Sequence, residues 1–417
     1  MTLKKRCLFF LPLLACLLSG HAQVSINNDG SLPDNSAILD IKSQDKGLLV
    51  PRMTTTQIQA ISNPATGLIV FNITTSCLNF YTGIAWMAVC GTSIPQPPPP
   101  LSAGLMFAPY VDCCLWPNFQ IQNVAATGIH NYSCAFIVDN QSASGANPCW
   151  GGFSSLGMDY YQAEIAALRS QGGDVIMSFG GASGVELSYA ATDEFQARNA
   201  YKTVIDAYAL TSIDFDIEGF MVAEPQSVLR RSKAMKLLQN EYSALKISIT
   251  LPVMPDGLSA DGLNVVQSAL NQGVDIYCVN VMAMDYGPSG LDMGAAAISA
   301  GEALFLQIKN LYQNSGFPLT DSLAWRKIGI TPMIGVNDVQ GEIFYLDDAA
   351  DLATWAQQKN INRLAMWSVN RDRQCANSGD PLYSCSHIPQ SLYEFSGIFG
   401  GVAASSSRKP GWGREHK

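Results

Sequence analysis

From Gly104 onward, short apolar runs alternate with longer stretches of mixed character. The runs are GLMFAPYV, YSCAFIV, DVIMSFGG, SIDFDIEG, KISITLPV, DIYCVNVMAM, KIGITPMI and RLAMWSV, eight in all. Most are apolar almost throughout, the pattern of strands covered on both faces. Between them lie segments such as DYYQAEIAALRSQG and DDAADLATWAQQKNI, whose apolar residues recur at helical spacing. A run with the segment after it has about the length of a βαβ unit. Eight such units predict an α/β fold, a (β/α)8 barrel over residues 104–400.

One run breaks the apolar rule. In TSIDFDIEG, Asp214, Asp216 and Glu218 alternate with Ile213, Phe215 and Ile217. Side chains on a strand point alternately to opposite faces. The apolar set is therefore expected to pack against the helices, and the three acids to point into the barrel. Glu218 lies nearest the C-terminal end, where barrel active sites sit. Confined carboxylates cannot all ionise easily, because burial and like charge raise at least one pKa. Such a group keeps a proton for a leaving group near neutral pH.

Residues 23–92 read differently. GLIVFNI and IAWMAV look like strands, and YTG like a turn between them; together they predict a small β-rich module. Tyr81 and Trp86 are either a sugar platform or the closure of a small core. The run SIPQPPPPLS separates this module from the barrel as a stiff linker, residues 93–103. Residues 401–417 are expected to be a disordered tail. Residues 1–22 have a basic start, Lys4 to Arg6, then an apolar run, then small residues at Gly20 and Ala22. This predicts a signal peptide and export to the periplasm, outer surface or medium; a competing reading is a lipid anchor on Cys16. No membrane-spanning segment is expected elsewhere.

Composition narrows the chemistry. The net charge of −9 and the absence of a long basic run argue against nucleic acid as a partner. Eleven cysteines fit an oxidising compartment. Cys77 with Cys90, and Cys375 with Cys385, are expected to close short loops, and Cys149 is expected to pair with Cys113 or Cys114. Cys134 and Cys278 lie in apolar runs, as buried thiols do. With four histidines and no CxxC pair, no metal site is expected.

The motif DFDIE matches the D-x-D-x-E end of the strand-4 signature of glycoside hydrolase family 18, the chitinase family, which residues 104–400 resemble. Thr211 and Ser212 stand where that signature begins with Asp-Gly. SFGG, Ser178 to Gly181, is similar to the family's S-x-G-G, whose Gly180 and Gly181 would let backbone approach the substrate. VNVMAMDYG corresponds to the strand-6 motif M-x-Y-D. Met282 and Asp285 align, Met284 replaces the Tyr, and strand parity would put the Tyr286 hydroxyl on the same side. AMWS supplies Trp367 as the floor of the sugar site. CWGG, LPVMPDGL and TPMIGVNDVQGE also resemble bacterial and archaeal chitinases. The segment from ILDIKSQ to TGLIVFN resembles a leader module of exported bacterial surface proteins.

The resemblance implies substrate-assisted, retaining hydrolysis. Glu218 would protonate the glycosidic oxygen, and the substrate's own acetamido carbonyl would attack the anomeric carbon. Asp216 would orient the acetamido N–H, Asp214 would tune Asp216, and Tyr286 or Asp285 would hold the acetamido oxygen. Trp367, Met282, Ser178, Gly180, Gly181 and Tyr110 would bind substrate, with Tyr110 bonding the lower Asp and Trp150 lining the cleft. The implied substrate is chitin or N-acetylglucosamine oligomers, with no cofactor, acting as a monomer. The alternatives are an endo-β-N-acetylglucosaminidase acting on N-glycans, a non-catalytic sugar-binding barrel, or an adhesive surface protein carrying the barrel as passenger.

Overall fold

A computed structural model describes residues 23–89, 104–141, 145–287 and 290–406, the side chains of 402–406 excepted. The signal segment, Cys90 and the proline-rich run lie outside the described residues. The chain divides into two units near residue 91.

The second unit is the barrel. Its strands are β1 in two pieces, Met106–Phe107 and Tyr110–Asp112, then β2 Asn131–Asp139, β3 Asp174–Gly180 and β4 Ser212–Asp216. β5 Lys246–Pro252, β6 Ile276–Ala283, β7 Ile328–Pro332 and β8 Arg363–Leu364 follow. Each pairs in parallel with the next. The first piece of β1 pairs with β8 and the second with β2, which closes the cylinder. Pairs β2 to β8 follow the predicted runs in order, and helices return the chain between strands. Among them are Glu194–Tyr208, Pro225–Glu241, Met293–Asn314 and Leu346–Lys359. Several begin where the sequence supplies a cap: Asp193 accepts from the Gln196 N–H and Asp292 from the Ala295 N–H. The helix Glu394–Ser406 runs past the expected end of the barrel at residue 400. Phe395 and Phe399 are fully buried on it, and the small residues that follow do not interrupt it.

The outward face of β4 is as expected. Phe215 is buried and packs its ring 5.6 Å from Phe179 and 5.0 Å from Tyr201 of the helix Glu194–Tyr208. Behind that layer Glu186 and Arg231 form an ion pair at 3.0 Å with side chains 0% and 1% exposed. Cys375 and Cys385 are disulfide-bonded. Cys149, Cys113 and Cys114 are free thiols, contrary to the expected pairing.

The first unit has a two-stranded parallel ribbon, Val24–Ile26 with Leu39–Ile41. A four-stranded sheet follows, ordered Arg52–Met53, Ile69–Asn72, Cys77–Tyr81 and Trp86–Val89. Cys77–Tyr81 is a further strand between the two expected ones, and the turn at YTG follows it. The Tyr81 and Trp86 rings meet at 5.4 Å.

Candidate active site

The ladder of β4 ends at Asp216, but the backbone stays extended: the Ile217 N–H reaches the Thr250 carbonyl at 3.0 Å, and Glu218 has φ −131° and ψ 168°. Alternation therefore persists to Glu218, and all three acids share the inner face.

Asp214 is the lowest and is fully buried. It accepts hydroxyl hydrogen bonds from Tyr110 (2.9 Å), Ser178 (2.9 Å), Ser248 (2.6 Å) and Thr250 (2.9 Å). Arg363 Nη1 lies 3.7 Å from it. Asp216 sits above, 2% exposed, and its Oδ1 has no hydrogen-bond partner among the described residues. Burial, then Glu218 and Asp214, hold the Asp216 carboxyl well above the usual range. Burial, followed by the Asp285 carboxylate, pushes Glu218 up to about 7. Glu218 thus holds a proton up to near neutral pH, as a group that is to donate one must.

Glu218 stands in the wall between two cavities. One, of about 160 Å³, is lined by Tyr110, Phe136, Asp216, Met333 and Trp367 among others. The other, of about 230 Å³, is lined by Pro252, Val253, Met254 and Ser259. Met282, Met284 and Asp285 border both. A donor flanked by two cavities suits a bond with a group on either side of it. Trp367 stacks on Phe136 at 5.7 Å and 16°, and Tyr110 meets both rings at 6.1 Å. Burial, Asp214 and Asp216 raise the Tyr110 hydroxyl far above its ordinary value, so it remains a donor.

Several expected residues stand elsewhere. Tyr286 does not line the cavities: it is 5% exposed in the core, and its hydroxyl has no hydrogen-bond partner among the described residues. The β6 ladder ends at Ala283 and Asp285 adopts a left-handed φ of 53°, so parity fails before residue 286. Ser178 bonds Asp214 and lies beneath the cavity floor. Gly180 and Gly181 are held by close packing between strands. A Cβ on Gly180 would lie 2.0 Å from the Asp216 carbonyl oxygen, and one on Gly181 would meet the Phe136 ring at 2.6 Å. Trp150 is fully buried and donates to the Tyr208 hydroxyl at 2.7 Å, away from the cleft.

Other residues enter unannounced. Phe136 was hidden inside an apolar run. Asp338 lines the smaller cavity from the loop after β7, and the Val339 N–H donates to Asp285 at 3.1 Å. Arg371, fully buried, donates to the Val336 carbonyl of that loop. Arg363 lies under Asp214. The signal available for both arginines was a charge beside or inside the apolar run RLAMWSV.

A barrel whose fourth strand aims stacked carboxylates at a cleft lined by aromatic rings belongs to the glycoside hydrolase class. The comparisons with known proteins agree. Residues here are 35% identical over 314 positions to the probable bifunctional chitinase/lysozyme of Escherichia coli (strain K12), covering 70% of this chain and 34% of that protein. They are 36% identical over 287 positions to Endochitinase 11 of Metarhizium anisopliae, covering 65% and 53%. The chain thus spans about a third and about half of these two curated relatives. The catalytic domain of a hyperthermophilic chitinase from Pyrococcus furiosus superposes with a TM-score of 0.66 at 32% identity, covering 76% of this chain and 99% of that one. The chain belongs to the family 18 chitinases. Residues 25–99 match a separate family, described as a phage tail like trimerisation region.

Proposed function

We propose that the protein is a chitinase that hydrolyses β-1,4 N-acetylglucosamine linkages by substrate-assisted, retaining catalysis. The observation that carries this is the pairing of Glu218 and Asp216. One is a carboxyl protonated up to about pH 7 between two cavities. The other lines the smaller cavity and has a buried oxygen with no partner among the described residues, free to accept an acetamido N–H. Glu218 gives its proton to the glycosidic oxygen, and the acetamido carbonyl oxygen bonds the anomeric carbon as the C–O bond breaks. Asp216 holds the acetamido N–H and faces the positive charge of the oxazolinium ion. Water opens that ion with Glu218 as base, restoring the proton and retaining configuration. The intramolecular nucleophile gives high effective molarity. Trp367, over Phe136, supplies the floor on which the sugar stacks.

Glu218→Gln is expected to cut release of N-acetylglucosamine oligomers from chitin by at least about 100-fold. Equal rates for variant and wild type would refute the enzyme reading. Cleavage confined to the chitobiose core of glycoproteins would favour the N-glycan alternative. A thiazoline analogue of the oxazolinium ion should inhibit in the low micromolar range or better, as transition-state-like ligands do.

For residues 23–92 we propose self-association into a trimer rather than the expected monomer. The match to a trimerisation region supports it, as does the surface of the parallel ribbon and its surroundings. Val24, Ile26, Ile38 and Leu39 are 50–74% exposed, and Leu48 and Leu49 67% and 78%, more apolar surface than a lone ribbon is expected to show. Light scattering should give three chain masses, and Ile38→Glu with Leu49→Glu should give one. A monomeric wild type would refute it. The basic and apolar start supports export, which N-terminal sequencing of the mature protein tests.

A further inference from the structure

Arg363 is a buried cation at the floor of the carboxylate stack. It is 1% exposed, and its Nε and Nη1 have no hydrogen-bond partner among the described residues. Its Nη2 donates to Ser248 Oγ at 3.1 Å. A guanidinium cannot accept a hydrogen bond, so this contact leaves Ser248 its own proton to give. Two acceptors are in reach of Ser248, the Ile213 carbonyl at 3.2 Å and Asp214 Oδ1 at 2.6 Å. The shorter, to the carboxylate, takes the proton. The same oxygen is 3.7 Å from Arg363 Nη1. With Tyr110, Ser178 and Thr250 also turned toward it, Asp214 is surrounded by donors.

We propose that Arg363 is a positioning residue for the reaction: through Ser248 and the direct ion pair it keeps Asp214 in an acceptor-only role, so that the protons of the stack are carried above, by Asp216 and Glu218. The groups that face the guanidinium are few. They are Asp214 of β4, Tyr110 of β1 and Cys278 of β6, with Asp216 about 7 Å above Asp214 by strand rise. The inference rests on the chitinase reading of the site.

The sign of the effect follows from charge. Removing a cation from beneath the stack makes each carboxylate above harder to ionise, so both limbs of the pH–rate profile move to higher pH. A unit charge at roughly 10 Å in an effective dielectric of about 20 gives a displacement of about one pH unit. Arg363→Met should show it in kcat/KM on a soluble N-acetylglucosamine oligomer, and Arg363→Lys should restore the wild-type limbs. A residue that merely fills space would lower the rate at every pH and leave the limbs in place. A folded Arg363→Met with unmoved limbs overturns the proposal. Thermal unfolding supplies the second readout. Asp214→Asn and Arg363→Met should each lower Tm, and the double variant should recover part of the loss because neither charge is left buried alone. Strictly additive losses overturn the proposal; if Arg363→Met alone does not fold, a double variant that also fails to fold overturns it. A wild type inactive on chitin would sink the chitinase reading, whereas the thermal cycle tests the Arg363–Asp214 coupling separately.

Discussion

Asp285→Asn isolates the electrostatic part of Glu218's acidity. Burial is the leading cause that lifts Glu218 from 4.5 to about 7, and the Asp285 carboxylate is the second. The amide preserves shape. Its oxygen can still accept from the Val339 N–H, which now reaches Asp285 Oδ1 at 3.1 Å, so the loop after β7 keeps its anchor. What is lost is one negative charge in the wall shared by both cavities. Because burial leads, less than half of the rise belongs to Asp285, and Glu218 should titrate no lower than about 6 in the variant. With Glu218 as the proposed acid, activity needs it protonated, so the basic limb of kcat/KM moves down by up to about one pH unit. At pH 8 that is a loss of up to about tenfold beyond any uniform change. At pH 5, where Glu218 is protonated in both proteins, only the uniform part remains. The measurement is a full pH profile on a soluble oligomer with wild type and variant in parallel. A basic limb that stays in place, or moves up, refutes the assignment of Asp285 as a neighbour that raises Glu218.

Glu218→Gln should trade activity for stability. Glu218 titrates at 4.5 when unfolded and about 7 when folded, so its contribution is fully present below pH 4.5 and is lost as pH rises through 7. The variant is free of that loss, and denaturant unfolding at pH 8 should show it more stable by about 1–3 kcal/mol, with no such gain near pH 4. Tyr110→Phe keeps the ring against Phe136 and Trp367 but removes the donor to Asp214; kcat should fall about 10- to 100-fold with KM within about threefold, as for a hydrogen bond to a charged group. Gly180→Ala drives a Cβ to 2.0 Å from the Asp216 carbonyl oxygen at a φ of +107°. It should lower both stability and kcat, and an unchanged melting curve would count against the packing role given to that glycine.

Strand parity was a reliable guide only as far as the backbone stayed extended. It placed Asp214, Asp216 and Glu218 on one face because the chain from Ser212 to Glu218 never leaves the β region. The same rule failed four residues past Met282, because a single left-handed residue, Asp285, turned the chain after β6. Nothing in MAMDYG announces that turn, since an Asp tolerates the left-handed region without requiring it. The glycines of SFGG were legible as glycines but not as packing devices. Their neighbours, the Asp216 carbonyl and the Phe136 ring, come from other strands. Trp150 was misplaced for a related reason: an aromatic after a strand end can face the cleft or the helices, and the Tyr208 hydroxyl that holds it inward lies on a distant helix. Arg363 is the extreme case. A lone arginine at the head of an apolar strand has no periodicity to betray its partner. Asp214 and Ser248 reach it only because closing eight strands brings β8 across the floor from β4 and β5. Local pattern can thus identify the carboxylates, whereas the charge that balances them depends on closure of the barrel.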